Sequence, residues 1–410
     1  MNKLKKILKY SKEPKVLLRK VIHRLPKGGL RKNILSFPSE DELSYRLESL
    51  MRKYEGKTVY VFPSPNCPWG YMFQRPQQLA RALAREGNLI FYMTDTSYPY
   101  SPDWNVRGFL EVEPNIYLFN DDKDNVINQL ASRKVIVWQY WPHQNDYVKK
   151  LKVLNKQLIH VYDCIDDITT FDSYGNIQND YYESVVNSNL TLATSNQIYN
   201  QVKTIRNDVI YVPNGVEVGD FDRSLEEIPS VQLIRKKFSY IIGYYGAIAD
   251  WFDFELLKYL ADNNPKNGFV IVGEVYKEIQ FKVEDFKGYN NVFFMKRISY
   301  EMIPSLLDYF DVAIIPFLIN DITLSTSPVK AFEYLAGGKE IVSTELPEVK
   351  GIRQEFVAEN YIEFQNKLEL ALNRINDSNR IAFLKSLAIQ NTWKERVSRV
   401  TKAISNDRSE

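Results

Sequence analysis

The stretch from 58 to 93 constrains the fold more than any other. Thr58-Val59-Tyr60-Val61-Phe62 is a run of β-branched and aromatic residues and reads as a strand. A Pro- and Gly-containing loop follows, then a helix starting near Pro76, carrying Leu79, Ala82 and Leu83 and closing near Gly87. Asn88-Leu89-Ile90-Phe91-Tyr92-Met93 is the next strand. A strand, a crossover helix and a second strand form a βαβ unit, so the two strands are expected to lie parallel. The alternation recurs: β-rich runs at 135–140, 160–164, 189–194, 209–212, 240–245, 269–273, 292–294 and 311–316, with helices expected over 254–262, 300–309 and 361–374. A polar helix over 41–55 precedes the first strand. The expectation is an α/β protein, and 410 residues suffice for two domains with sizeable cores. Ligands of such sheets sit beyond the carboxyl ends of the strands, which directs attention to the loops there.

Charge is unevenly spread. The chain has a net charge of +2, but residues 1–32 hold nine Lys and three Arg against Glu13 alone, a net +11 that leaves −9 for the rest. In that arm Leu4, Ile7, Leu8, Val16, Leu17, Leu18, Val21, Ile22 and Leu25 recur at roughly helical spacing, the pattern of a basic amphipathic helix on an anionic membrane surface. No aromatic interleaving points to nucleic acid, and a solvated tail is the plain alternative. Two Cys and three His provide no disulfide framework or zinc site. No transmembrane run or signal-peptide core is present, and a reducing, cytoplasmic location is expected.

The richest segment is Ile314-Ile315-Pro316-Phe317, a polar loop, then 327–338. Ser327 is a suitable N-cap, Pro328 suits the first helical position, and Gly337-Gly338 suits the exit. Val329, Phe332 and Leu335 give a buried face; Lys330 and Glu333 share the other. A Lys in the first turn opposes the helix dipole, so an anionic ligand would explain it, with Glu333 in reach of sugar hydroxyls. An ordinary amphipathic helix with an exposed Lys–Glu pair explains the spacing equally well. Tyr240 to Gly246, with Asp250 and Asp253 beyond, sets two glycines around a strand end, suited to close approach of a diphosphate.

Three further loops carry polar groups. Trp69-Gly70-Tyr71, with Gln74-Arg75-Pro76, could bring backbone to a ligand and Arg75 to an anion, or simply lead into a helix. His143 follows the strand 135–140. Asp163, Asp166 and Asp167 cluster at another strand end, where crowding raises a carboxyl pKa toward that of a general base; a solvated acidic loop is the alternative.

Ser327-Pro328, Lys330, Phe332-Glu333-Tyr334-Leu335-Ala336 and Gly338-Lys339, followed by Ile341-Val342-Ser343-Thr344, resemble the donor-site segment of GT-B nucleotide-sugar glycosyltransferases of the family-4 and teichuronic-acid biosynthesis types. Gln74-Arg75-Pro76, Tyr162-Asp163-Cys164 with Asp166-Asp167, Pro213-Asn214-Gly215-Val216, Gly246 with Asp250-Trp251 and Asp253, and Trp393 with Arg396-Val397 resemble further segments of that group, so the likeness runs over about 58–400. It implies two Rossmann-like parallel-sheet domains facing an interdomain cleft, with a C-terminal helix crossing back to the first domain. The expected organisation is a basic arm over 1–40, an acceptor domain over 41–216, a linker over 217–238, a donor domain over 239–385, and the crossing helix and tail over 386–410.

The implied reaction moves a sugar, of hexosyl type, from a nucleotide sugar to an acceptor hydroxyl. A lipid-linked glycan on the inner membrane face is the acceptor expected, in cell-surface polysaccharide assembly of capsule, exopolysaccharide, teichuronic acid or O-antigen type. No cofactor and no metal are expected, the Asp-x-Asp pattern occurring only as Asp220-Phe221-Asp222. A retaining outcome is favoured. Gly246, Asp250, Gly273, Arg297, Ser327, Lys330 and Glu333 would bind donor; Trp69, Gly70, Gln74, Arg75 and Asn214 would line the acceptor side. Asp166, Asp167 and His143 are the catalytic candidates. Family members often carry a second Glu eight positions before Glu333, where this chain has Ser325. A nucleotide-sugar epimerase on the same fold, or a catalytically silent sugar-nucleotide-binding subunit, are the alternatives.

Overall fold

In the computed structural model, residues 38–406 are described except 65–66, 96, 99, 121–129, 168–176 and 224. The basic arm therefore lies outside the described residues. The first sheet has the order β3-β4-β2-β1-β5-β6-β7-β8. Its strands are β1 (Val59–Phe62), β2 (Leu89–Met93), β3 (Gly108–Glu113), β4 (Ile116–Asn120), β5 (Val135–Gln139), β6 (Ile159–Cys164), β7 (Leu190–Ala193) and β8 (Ile210–Tyr211). β1 pairs in parallel with β2, Val59 opposite Leu89, and with β5, Val59 opposite Val135. Every residue of β1 and β5 is buried, as expected where a sheet is covered on both faces and its strands need no polar side.

The second sheet is parallel throughout, in the order β11-β10-β9-β12-β13-β14. Its strands are β9 (Ile241–Tyr245), β10 (Gly268–Val272), β11 (Val292–Met295), β12 (Val312–Ile315), β13 (Glu340–Thr344) and β14 (Val357–Ala358). At its centre β12 sets Val312 against Ile242 of β9 and against Glu340 of β13. Chain order reverses between β9 and β12, so the space beyond their carboxyl ends is where such a sheet admits a ligand.

The chain separates into two compact units. One runs to Tyr162 and includes Asn187–Asn189; the other comprises Asp163–Val186 and Leu190 onward. Leu47, Val61, Phe91, Phe119, Val137 and Leu151 mark the core of the first unit. Ile242, Leu257, Val270, Ile314, Leu335 and Leu384 mark the core of the second. The division falls at β6, well before 217–238. Nor is 217–238 bare linker: it holds the helix Pro229–Arg235, whose Val231 and Ile234 enter the second core and whose Arg235 pairs with Asp311.

The structure adds the antiparallel pair β3–β4, turned at Asn115 with φ 69°, and the helices Asn145–Leu154, Ile177–Asn187 and Ser378–Ile389. The expected polar helix at 41–55 is Glu40–Lys53, capped by Ser39 and amphipathic, with Leu43, Leu47, Leu50 and Met51 buried. Among the described residues no helix is long and apolar enough to cross a membrane.

Candidate functional site

The polar residues of greatest interest gather at the carboxyl ends of β9 and β12. The helix there is Val329–Ala336, one residue shorter at its start than Ser327 as N-cap would give. Pro328 occupies the N-cap position, and Ser327 is engaged elsewhere. Its hydroxyl accepts from the Asn214 N–H at 3.2 Å and its carbonyl accepts from the Asn214 side-chain amide at 2.5 Å. The exit is as the glycines suggest, Gly338 having φ +68°.

Lys330 is half-buried, its ammonium 4.9 Å from the centre of the Phe317 ring and 5.5 Å from that of Tyr244. Those aromatic faces are favourable to a cation. Among the described residues the ammonium makes no hydrogen bond or ion pair. Burial therefore pushes its pKa down to about 8, with Glu333 pulling in the opposite direction. Glu333 is only 4% exposed. Its Oε2 accepts from the Tyr245 hydroxyl, while Oε1 accepts no hydrogen bond from the described residues. Burial raises this carboxyl to about 7; the Tyr245 bond and Lys330 oppose the rise, and Asp220 adds to it. A cation with no hydrogen bond among the described residues and a half-satisfied carboxylate, one helical turn apart, form a site that a ligand with an anionic and a hydroxyl-bearing part would complete.

The glycines around this pair make room rather than bind. Gly246 has φ +138°, and a Cβ there would lie 3.0 Å from Cε of Lys330. A Cβ on Gly273 would lie 1.8 Å from the Gly246 carbonyl oxygen, so bare backbone is required where the two turns cross. Asp250 is exposed in the turn beyond. Asp253 caps the helix Phe254–Asn263 and accepts from the Tyr361 hydroxyl. Arg297 is exposed two residues past β11 and thus on the β11 side of the sheet, with β10 and β9 between it and β12.

Asn214 is held from two sides. Besides Ser327, the guanidinium Nε of Arg396 donates to the Pro213 and Asn214 carbonyls at 3.0 and 3.1 Å. Arg396 belongs to the last helix, Trp393–Asn406. The Pro213-Asn214-Gly215 turn, the start of the 327–336 segment and the C-terminal helix thus form one buried connection within the second unit. Gly215 fits there because a Cβ would meet the Asn391 carbonyl at 2.7 Å.

The other candidates are placed as follows. Asp167 is buried and accepts from Gln201 at 2.6 Å. Asp163 is buried within β6, so the three carboxylates do not share one loop. Asp166 is exposed; desolvation, then the Asp167 charge, moves its carboxyl up to about 6. In the first unit His143 lies in the turn Pro142–Gln144, stacked on Trp141 at 6.5 Å.

Asp103 explains the 67–75 loop: its carboxylate accepts from the Trp69 and Gly70 N–H groups at 2.8 and 2.7 Å and from Thr94 at 2.5 Å. A Cβ on Gly70 would strike the Ser101 carbonyl at 1.8 Å, so this glycine admits chain, not ligand. Trp69 packs edge-on against Tyr92 and Phe73. Gln74 forms a capping box with Gln77, and Arg75 is buried at the start of the helix Arg75–Arg85. Among the described residues no group of three or more His, Cys, Asp or Glu is placed to hold a metal ion.

No protein-family model matches the chain. Over 164 residues it is 26% identical to TuaH of Bacillus subtilis (strain 168), whose name gives it as a candidate teichuronic acid biosynthesis glycosyltransferase. The alignment spans 40% of this chain and 41% of that relative, about two fifths of each. Solved structures match over far more of the chain. Anabaena HepE in complex with UDP and glucose covers 85% of this chain and all of its own, with a TM-score of 0.60 at 14% identity. Sucrose-phosphate synthase from Thermosynechococcus elongatus covers 85% of this chain and 98% of its own, with a TM-score of 0.60 at 13% identity. The catalytic domain of Arabidopsis thaliana starch synthase IV, bound to ADP and acarbose, covers 86% and 99%, with a TM-score of 0.62 at 12% identity. The fold is that of the GT-B glycosyltransferases.

Within this GT-B chain, Ser325 has a local reason to be small. It ends the short helix Asp321–Leu324, is buried, and donates to the Ile322 carbonyl at 2.8 Å. Three residues escape the sequence analysis, Tyr244 and Tyr245 in the second unit and Asp103 in the first. Tyr245 and Tyr244 sit at the end of β9 among several tyrosines, and nothing in the sequence distinguishes the one that meets Glu333. Asp103 is a lone acid after Pro102, readable as a turn residue and nothing more.

Proposed function

We propose that this GT-B chain is a glycosyltransferase using a nucleoside diphosphate sugar, and that Lys330 and Glu333 bind its donor. The observation that carries the reading is the half-buried Lys330 ammonium, set over two aromatic faces and making no hydrogen bond among the described residues, beside Gly246 at the switch point of the second sheet. A diphosphate supplies the missing anion, and the ribose diol supplies donors to Glu333 Oε1. As the bond from the anomeric carbon to the diphosphate breaks, charge grows on the leaving oxygen. A fixed cation there lowers the barrier without a metal. The acceptor oxygen bonds to the anomeric carbon and its proton passes to a base. Asp166, with its raised pKa, is the first candidate; Asp167 and His143 are the others.

Ser327 and Asn214 fix the approach to the helix, and Asp250 and Arg297 are assigned to the donor side in this reading, while Gly246 and Gly273 serve it only by letting the two turns cross beside Lys330. Trp69, Gln74 and Arg75 are assigned to the acceptor side in this reading, with Gly70 serving only to let the Ser101 backbone pass. The finer assignment is a hexosyl transfer to a lipid-linked glycan at the inner membrane face, in polysaccharide assembly, with retention requiring that the acceptor attack on the face the diphosphate leaves. It is supported by the +11 arm and by the relation to TuaH. Ser325 favours one other reading, a donor-binding subunit without turnover.

The test is release of nucleoside diphosphate from a panel of UDP-, ADP-, GDP- and dTDP-sugars, with and without lipid-linked glycans. Acceptor-dependent release supports transfer. A free altered sugar without acceptor points to the epimerase, and binding without turnover to the silent subunit.

A further inference from the structure

The Glu333 carboxylate does not stand alone. Tyr245, buried at the end of β9, donates its hydroxyl to Oε2, and its ring packs edge-on against Tyr334 with centroids 5.3 Å apart. The Tyr334 hydroxyl in turn accepts the Tyr245 N–H at 3.3 Å. The strand thus fixes the Tyr245 ring and backbone, and the ring fixes one oxygen of Glu333. Without that bond a glutamate, with three rotatable side-chain bonds, could turn either oxygen outward or swing toward Lys330. With it, Oε1 is the oxygen left for a ligand.

We propose that Tyr245 is a positioning residue for sugar-hydroxyl recognition, orienting Glu333 so that Oε1 accepts from the donor's ribose diol. The assignment rests on the donor-binding role given to Glu333 above. It predicts that Tyr245 governs the preference for ribose hydroxyls while leaving the diphosphate contact at Lys330 intact. A tyrosine that merely packed would affect both or neither.

The test compares binding of nucleoside diphosphates with their 2′,3′-dideoxy forms, by calorimetry on the full chain. Five proteins are needed: wild type, Tyr245→Phe, Glu333→Gln, the double variant and Tyr334→Phe. Tyr334→Phe serves as a control that removes a neighbouring phenol but spares the Glu333 contact. Tyr245→Phe keeps the ring and its packing, so the fold should persist. The expected result is a preference for the ribo form that falls by about fivefold in Tyr245→Phe, the worth of one hydrogen bond. Tyr334→Phe should retain the preference, and Tyr245→Phe should have no further effect in the Glu333→Gln background. An undiminished preference in Tyr245→Phe overturns the proposal, as does an equal loss in both backgrounds. If the wild type itself ignores the ribose hydroxyls, the role of Glu333 falls first and takes this one with it.

Discussion

Glu333 should make the protein less stable as pH rises, and Glu333→Gln should remove that dependence. A carboxyl held at about 7 in the folded chain against an ordinary 4.5 keeps its proton where the unfolded chain has lost it. Its favourable contribution is complete below about pH 4.5 and is lost as pH climbs through about 7. Above that range the ionised, buried carboxylate costs about 3 kcal/mol relative to its solvated form, an order-of-magnitude figure. Gln keeps the shape and an acceptor for the Tyr245 hydroxyl, and it cannot ionise. Urea unfolding at a series of pH values measures the difference between the two proteins. The variant should match wild type near pH 4.5 and exceed it by about 1–3 kcal/mol near pH 8. A difference that stays constant with pH would show that Glu333 ionises freely, and the argument from burial would fail.

Four other outcomes follow from particular contacts. Arg396→Ala leaves the buried Pro213 and Asn214 carbonyls without their donor and should cost about 2–4 kcal/mol in urea unfolding. Gly273→Ala forces a methyl against the Gly246 carbonyl and should cost at least about 3 kcal/mol, or abolish soluble expression. Asp103→Ala frees the Trp69 and Gly70 N–H groups and should expose the 67–75 loop to protease before the rest of the chain. Deleting residues 1–32 should abolish sedimentation with anionic vesicles, and raising salt should weaken the binding of the full chain.

Much of the fold was legible because a parallel sheet covered on both faces demands long apolar runs, and Val59–Phe62, Val135–Gln139 and Val312–Ile315 are such runs. The β3–β4 pair was less so: Leu110 and Glu111 face outward at an edge, and its signal reduces to Pro114-Asn115 between two short segments. Lys330 and Glu333 were legible as residues of one helix face, but their isolation was not. Periodicity shows them as an exposed pair, whereas the fold buries Glu333 against Tyr245 at the end of β9 and leaves Lys330 over two rings. The sequence offers Gly70 and Gly246 as places where backbone could approach a ligand, and Gly273 as a donor-side residue by resemblance alone. Each instead accommodates a neighbouring part of the chain, Ser101, Lys330 and Gly246 in turn, which spacing cannot reveal. The Asn214–Ser327–Arg396 connection joins three recognised motifs, and only the tertiary structure brings them into contact.

The most direct test of the account is a calorimetric titration of nucleoside diphosphates into wild type and Lys330→Ala. The account predicts that at least one diphosphate binds the wild type, and that the variant binds it about 10–100-fold more weakly, as expected for a charged hydrogen bond to phosphate. The corresponding nucleoside, lacking phosphates, should bind the two proteins alike. A diphosphate that binds Lys330→Ala as tightly as wild type, or no binding by any of them, would contradict the assignment of this site.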